Sequence, residues 1–210
     1  MPFDHNHHYH PTLLKLLPPG PGRALDVGCG DGRFARRLAA AGMTVEGIDV
    51  SEEMLRRATA AGSPGPGTVA YRRADVTAEP LEPEAYAFIS CLASLHHVPF
   101  ETVTKFRTAL APGGTLAVLG CARPSRPADF AREIVAVPAN VVARLVTAAA
   151  DRLNGGPDPL PRAPVRMDFP FLDDVRREAV DLLPGSTVRR LVFWRYLLVW
   201  QKPADHPAVG

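Results

Sequence analysis

Residues 23–33 read R-A-L-D-V-G-C-G-D-G-R, an order that few folds accommodate. Ala24, Leu25 and Val27 form a short apolar run suited to a buried parallel strand. The run stops at Gly28-Cys29-Gly30-Asp31-Gly32, and residues 34–38 that follow have helical spacing. A strand feeding a glycine turn and then a helix brings bare backbone N–H groups close to a ligand. Nineteen residues after Gly30 comes Asp49, closing a second apolar strand over 45–48. That spacing fits a carboxylate accepting hydrogen bonds from both hydroxyls of a ribose.

The details of the turn discriminate between ligands. A dinucleotide fingerprint places a third glycine, or alanine, three residues after the second. Here that position is Arg33, too large for close helix–strand packing. The dinucleotide pattern also gives no reason for Asp26, where a carboxylate in a nearly buried strand is costly unless a cation or a donor meets it. The segment L-D-V-G-C-G-D-G resembles motif I of the class I S-adenosylmethionine-dependent methyltransferases. The resemblance implies that Asp26 lies near the cationic amino-acid end of S-adenosylmethionine. It implies contacts from Gly28, Cys29 and Gly30 in the turn, and from Asp49 and Val50 at the ribose. An ordinary strand–turn–helix connection is the plain alternative.

At 210 residues the chain reads as a single domain spanning 1–210, able to bury a real core. A formal net charge of +2 gives no reason to expect a polyanionic partner. The 21 arginines against three lysines look like GC-rich codon usage more than a nucleic-acid surface. No run of 18 or more apolar residues occurs, so no membrane span is expected. The first ten residues lack the basic-then-apolar order of a signal peptide. Cys29, Cys91 and Cys121 show no paired spacing, which predicts reduced thiols and a cytoplasmic protein.

The N-terminus holds His5, His7, His8, Tyr9 and His10 at none of the spacings of a structural zinc set, so no metal is expected. A short helix is predicted over 11–17. N-terminal lids are common in the resembling family, which makes residues 1–22 a lid segment and Tyr9 and His10 candidate contacts to the cofactor or acceptor. A frayed terminus is the alternative. After Asp49, Ser51 is a plausible N-cap, with Glu52 and Glu53 at the positive end of the next helix. Met54 falls where family members place an apolar residue against adenine, although a core-facing role is compatible with the same position. A third strand over 68–72 leads to Asp75 and Val76, which resemble the family's adenine site: the carboxylate accepts from the exocyclic amino group and the following N–H donates to a ring nitrogen. An exposed loop acid is the simpler reading of Asp75.

A fourth strand over 86–91 precedes L-A-S-L-H-H-V-P, which resembles the family's motif IV region with Ala87 in place of the usual acid. Carbonyls of Cys91 and Leu92 are then expected to hold the cofactor's ammonium, and His96 and His97 to lie near the transferable methyl. His96 is expected to face the acceptor, because relatives carry an active-site glutamate there, and His97 to pack within the fold. A helix over 100–110 ends at A-P-G-G before a fifth strand over 115–121; that turn marks the fold and carries no chemistry. Residues 122–165 form an insert shaping the acceptor pocket, with a helical stretch over 128–153 that Pro138 kinks or splits; its apolar face leaves monomer or homodimer open. A helix over 172–183 and two antiparallel strands over 187–193 and 196–201 follow, both expected centrally in the sheet, before a disordered tail over 203–210. The implied fold is α/β, a doubly wound Rossmann-like seven-stranded sheet of order 3-2-1-4-5-7-6 with strand 7 antiparallel.

The function implied is methyl transfer to an N, O or C atom of a small molecule by direct in-line displacement, leaving S-adenosyl-L-homocysteine. The acceptor would be a metabolite, one from bacterial secondary metabolism fitting best, rather than nucleic acid or protein. Orientation and desolvation can supply roughly 7–11 kcal/mol of such a barrier. His96, at an ordinary pKa of about 6.5, would serve an acceptor that is protonated at neutral pH. The competing class is a non-methylating binder of the same cofactor, regulatory or a cyclase; a nicotinamide oxidoreductase is disfavoured by Asp26 and Arg33.

Overall fold

The structure is a computed structural model and describes residues 5–63, 65–123, 125, 169–192 and 194–204. Among these, seven strands form one sheet: β1 (Arg23–Val27), β2 (Thr44–Asp49), β3 (Thr68–Arg73), β4 (Tyr86–Leu92), β5 (Leu110–Cys121), β6 (Thr187–Arg190) and β7 (Arg195–Gln201). Their order is β3-β2-β1-β4-β5-β7-β6. The first five are mutually parallel, and β7 runs antiparallel to both β5 and β6. The chain winds outward from β1 to β3 and then crosses back to β4, so the order reverses between β1 and β4. Val27 pairs with Cys91 at that reversal, where an open α/β sheet leaves a crevice.

Five helices are described: α1 (His5–Leu14), α2 (Arg33–Ala40), α3 (Glu52–Ala60), α4 (Val103–Ala109) and α5 (Leu172–Leu182). Alternation along the strands sorts the core into two clusters. Leu25, Val27, Ile89, Val118 and Leu198 pack with Phe106 of α4 and Val175 of α5. Ala24, Phe88, Ala117 and Leu197 pack on the opposite face with Leu13 of α1 and Phe34 and Leu38 of α2. Asp26 shares the Ala24 side of β1, so the pleat turns it toward α2.

Some boundaries differ from the sequence expectation. The first helix begins at His5 and contains Pro11, whereas the sequence predicts 11–17. Histidine and asparagine are indifferent helix formers, and burial of Tyr9 and Leu13 in the core supplies what propensity does not. The segment 100–110 is a 3₁₀ turn, Phe100–Thr102, followed by α4. β5 starts at Leu110, with A-P-G-G absorbed as an irregularity: Tyr86 pairs with Leu110, but Phe88 pairs with Thr115. β6 is shorter than expected; it lies at the edge, where the expected strand order puts it, with alternating exposure, while β7 holds the inner position. The helical stretch over 128–153 lies outside the described residues, as does nearly all of the insert and the tail beyond residue 204. Among the described residues no helix is long and apolar enough to cross a membrane.

Candidate functional site

The carboxyl ends of the parallel strands open onto a cavity of about 730 Å³. Its floor is the glycine turn. Val27 ends β1, and Gly28 and Cys29 donate their N–H groups to Ile48 O at 2.8 and 3.0 Å. Gly28 (φ 67°) and Gly30 (φ 54°) both adopt the left-handed conformation. A Cβ on Gly28 would come 2.4 Å from Ser94 Cβ, whereas one on Gly30 would meet only Met54 Cε, at 3.5 Å. The first glycine therefore lets two loops touch, and the second keeps bare backbone toward the cavity.

Ser94 is a residue that the sequence reading passed over. Its Oγ donates to Val27 O at 2.8 Å and lies 3.0 Å from Cys91 Sγ, tying the end of β4 to the end of β1. The signal was there: a glycine in close contact requires a small partner, and Ser94 is a small residue in the turn after β4. Ala93 beside it has φ 52°, an uncommon value for a residue with a Cβ, and its N–H donates to Leu119 O at 2.7 Å.

Asp49 closes β2 with its carboxylate in the cavity wall. Gly30 N–H donates to Oδ2 at 2.9 Å and Ser51 N–H to Oδ1 at 2.8 Å. Each oxygen keeps a further lone pair, so the carboxylate is oriented by backbone and still able to accept from a diol. Ser51 also caps α3 through Met54 N–H, which sets Met54 over the cavity beside the exposed Val50. Past β3, Asp75 and Val76 form the next stretch of wall. Thr77 donates to Asp75 Oδ1 through Oγ1 at 2.7 Å and through its N–H at 2.8 Å, and these bonds hold that carboxyl below the usual range.

Cys91, Leu92, His96 and His97 line the far side. His96 packs on His97 at 4.0 Å between ring centroids and on Phe169 at 5.1 Å. Both ring nitrogens of His96 are buried, without a hydrogen-bond partner among the described residues. Burial, then the neighbouring charges of His97 and Arg195, push its pKa down to about 4. Arg195 and Cys121 reach the same wall from β7 and β5, Arg195 Nη1 donating to Cys121 Sγ at 2.9 Å. No sequence signal places Arg195 there, because the antiparallel return of β7 brings it from 74 positions away.

Four expected contacts do not line this cavity. Asp26 is 2% exposed and accepts from Ser90 Oγ at 2.7 Å and from the Ala35 N–H in the first turn of α2; the strand pleat sends it under the turn. Burial raises its pKa to about 7. Cys29 is buried beneath the same turn. Tyr9 Oη donates to Val192 O at 3.0 Å, and the His10 ring packs on Phe34 at 4.8 Å. Both are core residues holding α1 down, so the expected lid contacts are replaced by packing. All three cysteines are free and buried, and among the described residues no group of His, Cys, Asp and Glu is arranged to hold a metal ion.

The donor set fits a nucleoside with an amino-acid tail: an oriented carboxylate for a diol, a second one with an apolar neighbour for an amino-bearing base, and unblocked backbone between. A family model described as "Methyltransferase domain" matches residues 24–114. An uncharacterized methyltransferase of Mycobacterium tuberculosis is 30% identical over 205 residues, covering 96% of this chain and 98% of the relative. A ubiquinone biosynthesis O-methyltransferase of Methylococcus capsulatus is 40% identical over 99 residues, 45% of this chain and 41% of the relative. Among solved structures, an S-adenosylmethionine-dependent methyltransferase from Methanosarcina mazei shares the fold with a TM-score of 0.58 at 19% identity, over 98% of this chain and all of that one.

Proposed function

The chain belongs to the class I S-adenosylmethionine-dependent methyltransferases, and from that premise we propose that it methylates an N, O or C atom of a small molecule by direct in-line displacement, with His96 facing the acceptor. S-adenosylmethionine, when bound, supplies an electrophilic methyl group on a sulfonium. The chain's own residues bind, align and exclude water. Asp49 takes the ribose hydroxyls, and Asp75 with Val76 takes the base. The turn at Gly28 and Gly30 and the end of β4 at Cys91 and Leu92 flank the amino-acid tail. Asp26 acts at one remove, by fixing the first turn of α2 beneath that tail.

The observation carrying this reading is that one cavity joins the two oriented carboxylates to a histidine whose buried ring nitrogens have no partner among the described residues. A buried imidazole left unpaired is unfavourable unless a ligand group meets it. At the His96 end none of the described lining residues is acidic; Asp49, Glu53 and Asp75 all lie along β2, α3 and the end of β3. This separation supports a cationic cofactor at one end and an acceptor of different polarity at the other. The net charge of +2 supports an acceptor that is neither nucleic acid nor an acidic protein, a bacterial secondary metabolite being one such class. Free buried thiols support a reducing, cytoplasmic setting.

The test is product formation. Purified protein incubated with S-adenosylmethionine and a panel of phenols, amines and carboxylic acids is expected to release S-adenosylhomocysteine with at least one of them. Tight binding with no release across a broad panel would favour a non-methylating binder. For Asp49→Ala, the S-adenosylhomocysteine Kd measured by calorimetry is expected to rise tenfold or more, through loss of the ribose hydrogen bonds. Wild-type affinity in that variant would refute the ribose assignment.

A further inference from the structure

Lys105 lies on α4, a helix that contributes no residue to the cavity wall. Its side chain ends against the loop that follows β3, where Nζ donates to three main-chain carbonyls: Val76 O at 3.0 Å, Thr77 O at 2.6 Å and Glu79 O at 3.1 Å. An ammonium has three donors, so this loop accepts all of them. The loop is one turn, in which Ala78 and Glu79 donate their N–H groups to Asp75 O at 3.1 and 3.0 Å. Its own carbonyls at 76, 77 and 79 converge on one point, an arrangement that repels itself unless a cation sits there.

The restraint reaches the cavity through Thr77. Lys105 holds the Thr77 carbonyl, while the Thr77 N–H and Oγ1–H hold Asp75 Oδ1. Asp75 Oδ2 stays outside these bonds, and Val76, 6% exposed, forms the adjoining wall. Asp75 is otherwise an exposed loop acid. In a loop free to move it would have to be ordered afresh by each ligand, an entropic cost that blunts selectivity.

We propose that Lys105 is a positioning residue that sets the enzyme's selectivity for the cofactor's base: by gathering the Val76, Thr77 and Glu79 carbonyls it fixes Asp75 and Val76 in the one geometry that accepts from an amino group and donates to the neighbouring ring nitrogen. This rests on the base-site reading of Asp75 and Val76 given above. Lysine suits the position because a compact ammonium meets three carbonyls at one point, whereas a planar guanidinium spreads its donors.

The experiment is calorimetric titration of the full chain with S-adenosylhomocysteine and with S-inosylhomocysteine, which carries a carbonyl in place of the amino group, alongside thermal melting. The wild type is expected to prefer the adenosyl ligand by tenfold or more. Lys105→Met is expected to raise the adenosyl Kd about tenfold while the inosyl Kd moves less than threefold, so that the preference collapses. Lys105→Arg, which keeps a cation within reach of part of the loop, is expected to recover some of it. A preference that survives in Lys105→Met, or equal loss of both ligands, overturns the inference and leaves Lys105 a scaffold residue. Should that variant melt too low to titrate, Thr77→Val reads the same restraint: the preference falls about threefold, and an unchanged preference overturns the inference. No preference in the wild type would instead sink the base-site reading itself.

Discussion

His96 carries a chemistry that tertiary contacts alter. An exposed imidazole titrates near 6.5, but this one is packed between His97 and Phe169 with its pKa pushed down to about 4 by burial first. At neutral pH it is therefore uncharged with a lone pair ready, and a weak base in the ground state. It can take a proton efficiently only once the acceptor atom has become acidic by bonding to the incoming methyl, that is, late in the reaction. The expected kcat/KM profile is flat from pH 8 to below pH 6, with loss of activity only as the medium approaches pH 4 to 5. An acid limb at pH 6.5 would contradict the buried geometry. His96→Ala is expected to lower kcat with the S-adenosylhomocysteine Kd unchanged within threefold. At this scale the sequence made Asp49, Asp75 and His96 legible, because each sits at a fixed distance from a strand end. It could not reveal Arg195, which no local spacing connects to the others.

The elements place these residues by touching one another. The turn after β1 and the 3₁₀ turn Leu95–His97 after β4 meet at Gly28 and Ser94. Gly28 combines a left-handed backbone with no room for a methyl group. Gly28→Ala is expected to destabilise the protein by about 2–4 kcal/mol and to lower Tm by roughly 5–15 °C at that cost. The double variant Gly28→Ala with Ser94→Gly is expected to recover the share due to the clash. Equal melting of single and double variants would mean that backbone strain alone is responsible. Patterning identified β1 through β5 and β7 because apolar runs bounded by glycine and proline are strong signals. The sequence predicts the first helix over 11–17, and its true start at His5 is not legible, because residues 5–10 are poor helix formers whose helicity comes from packing in the core. β6 ends at Arg190 rather than 193 because the chain turns there, the Leu191 N–H donating to Arg195 O across a tight reversal that the apolar run 191–193 does not signal.

At the scale of the whole molecule, the sheet decides which face each residue serves. Asp26 stands on the Ala24 side of β1 and is closed in by α2 and Ser90, so burial raises its pKa to about 7. A carboxyl whose native pKa lies above its unfolded value, near 3.9, stabilises the fold fully below that unfolded value. The contribution is lost as pH rises through the native one. Asparagine cannot ionise, so Asp26→Asn is expected to melt a few degrees higher than the wild type at pH 8. That margin should shrink steadily as pH falls from 7 toward 4, and a margin independent of pH would remove Asp26 as its source. The sequence by itself determined the order of strand, glycine turn, helix and acid from residue 24 to Asp49, because sterics and hydrogen bonding act there over a few adjacent residues. Only the tertiary structure decided that Asp26, Cys29, Tyr9 and His10 stand behind the cavity wall while Ser94, Cys121 and Arg195 stand in it, because the side a residue faces is set by strand pairing and pleat across distances that no local pattern encodes.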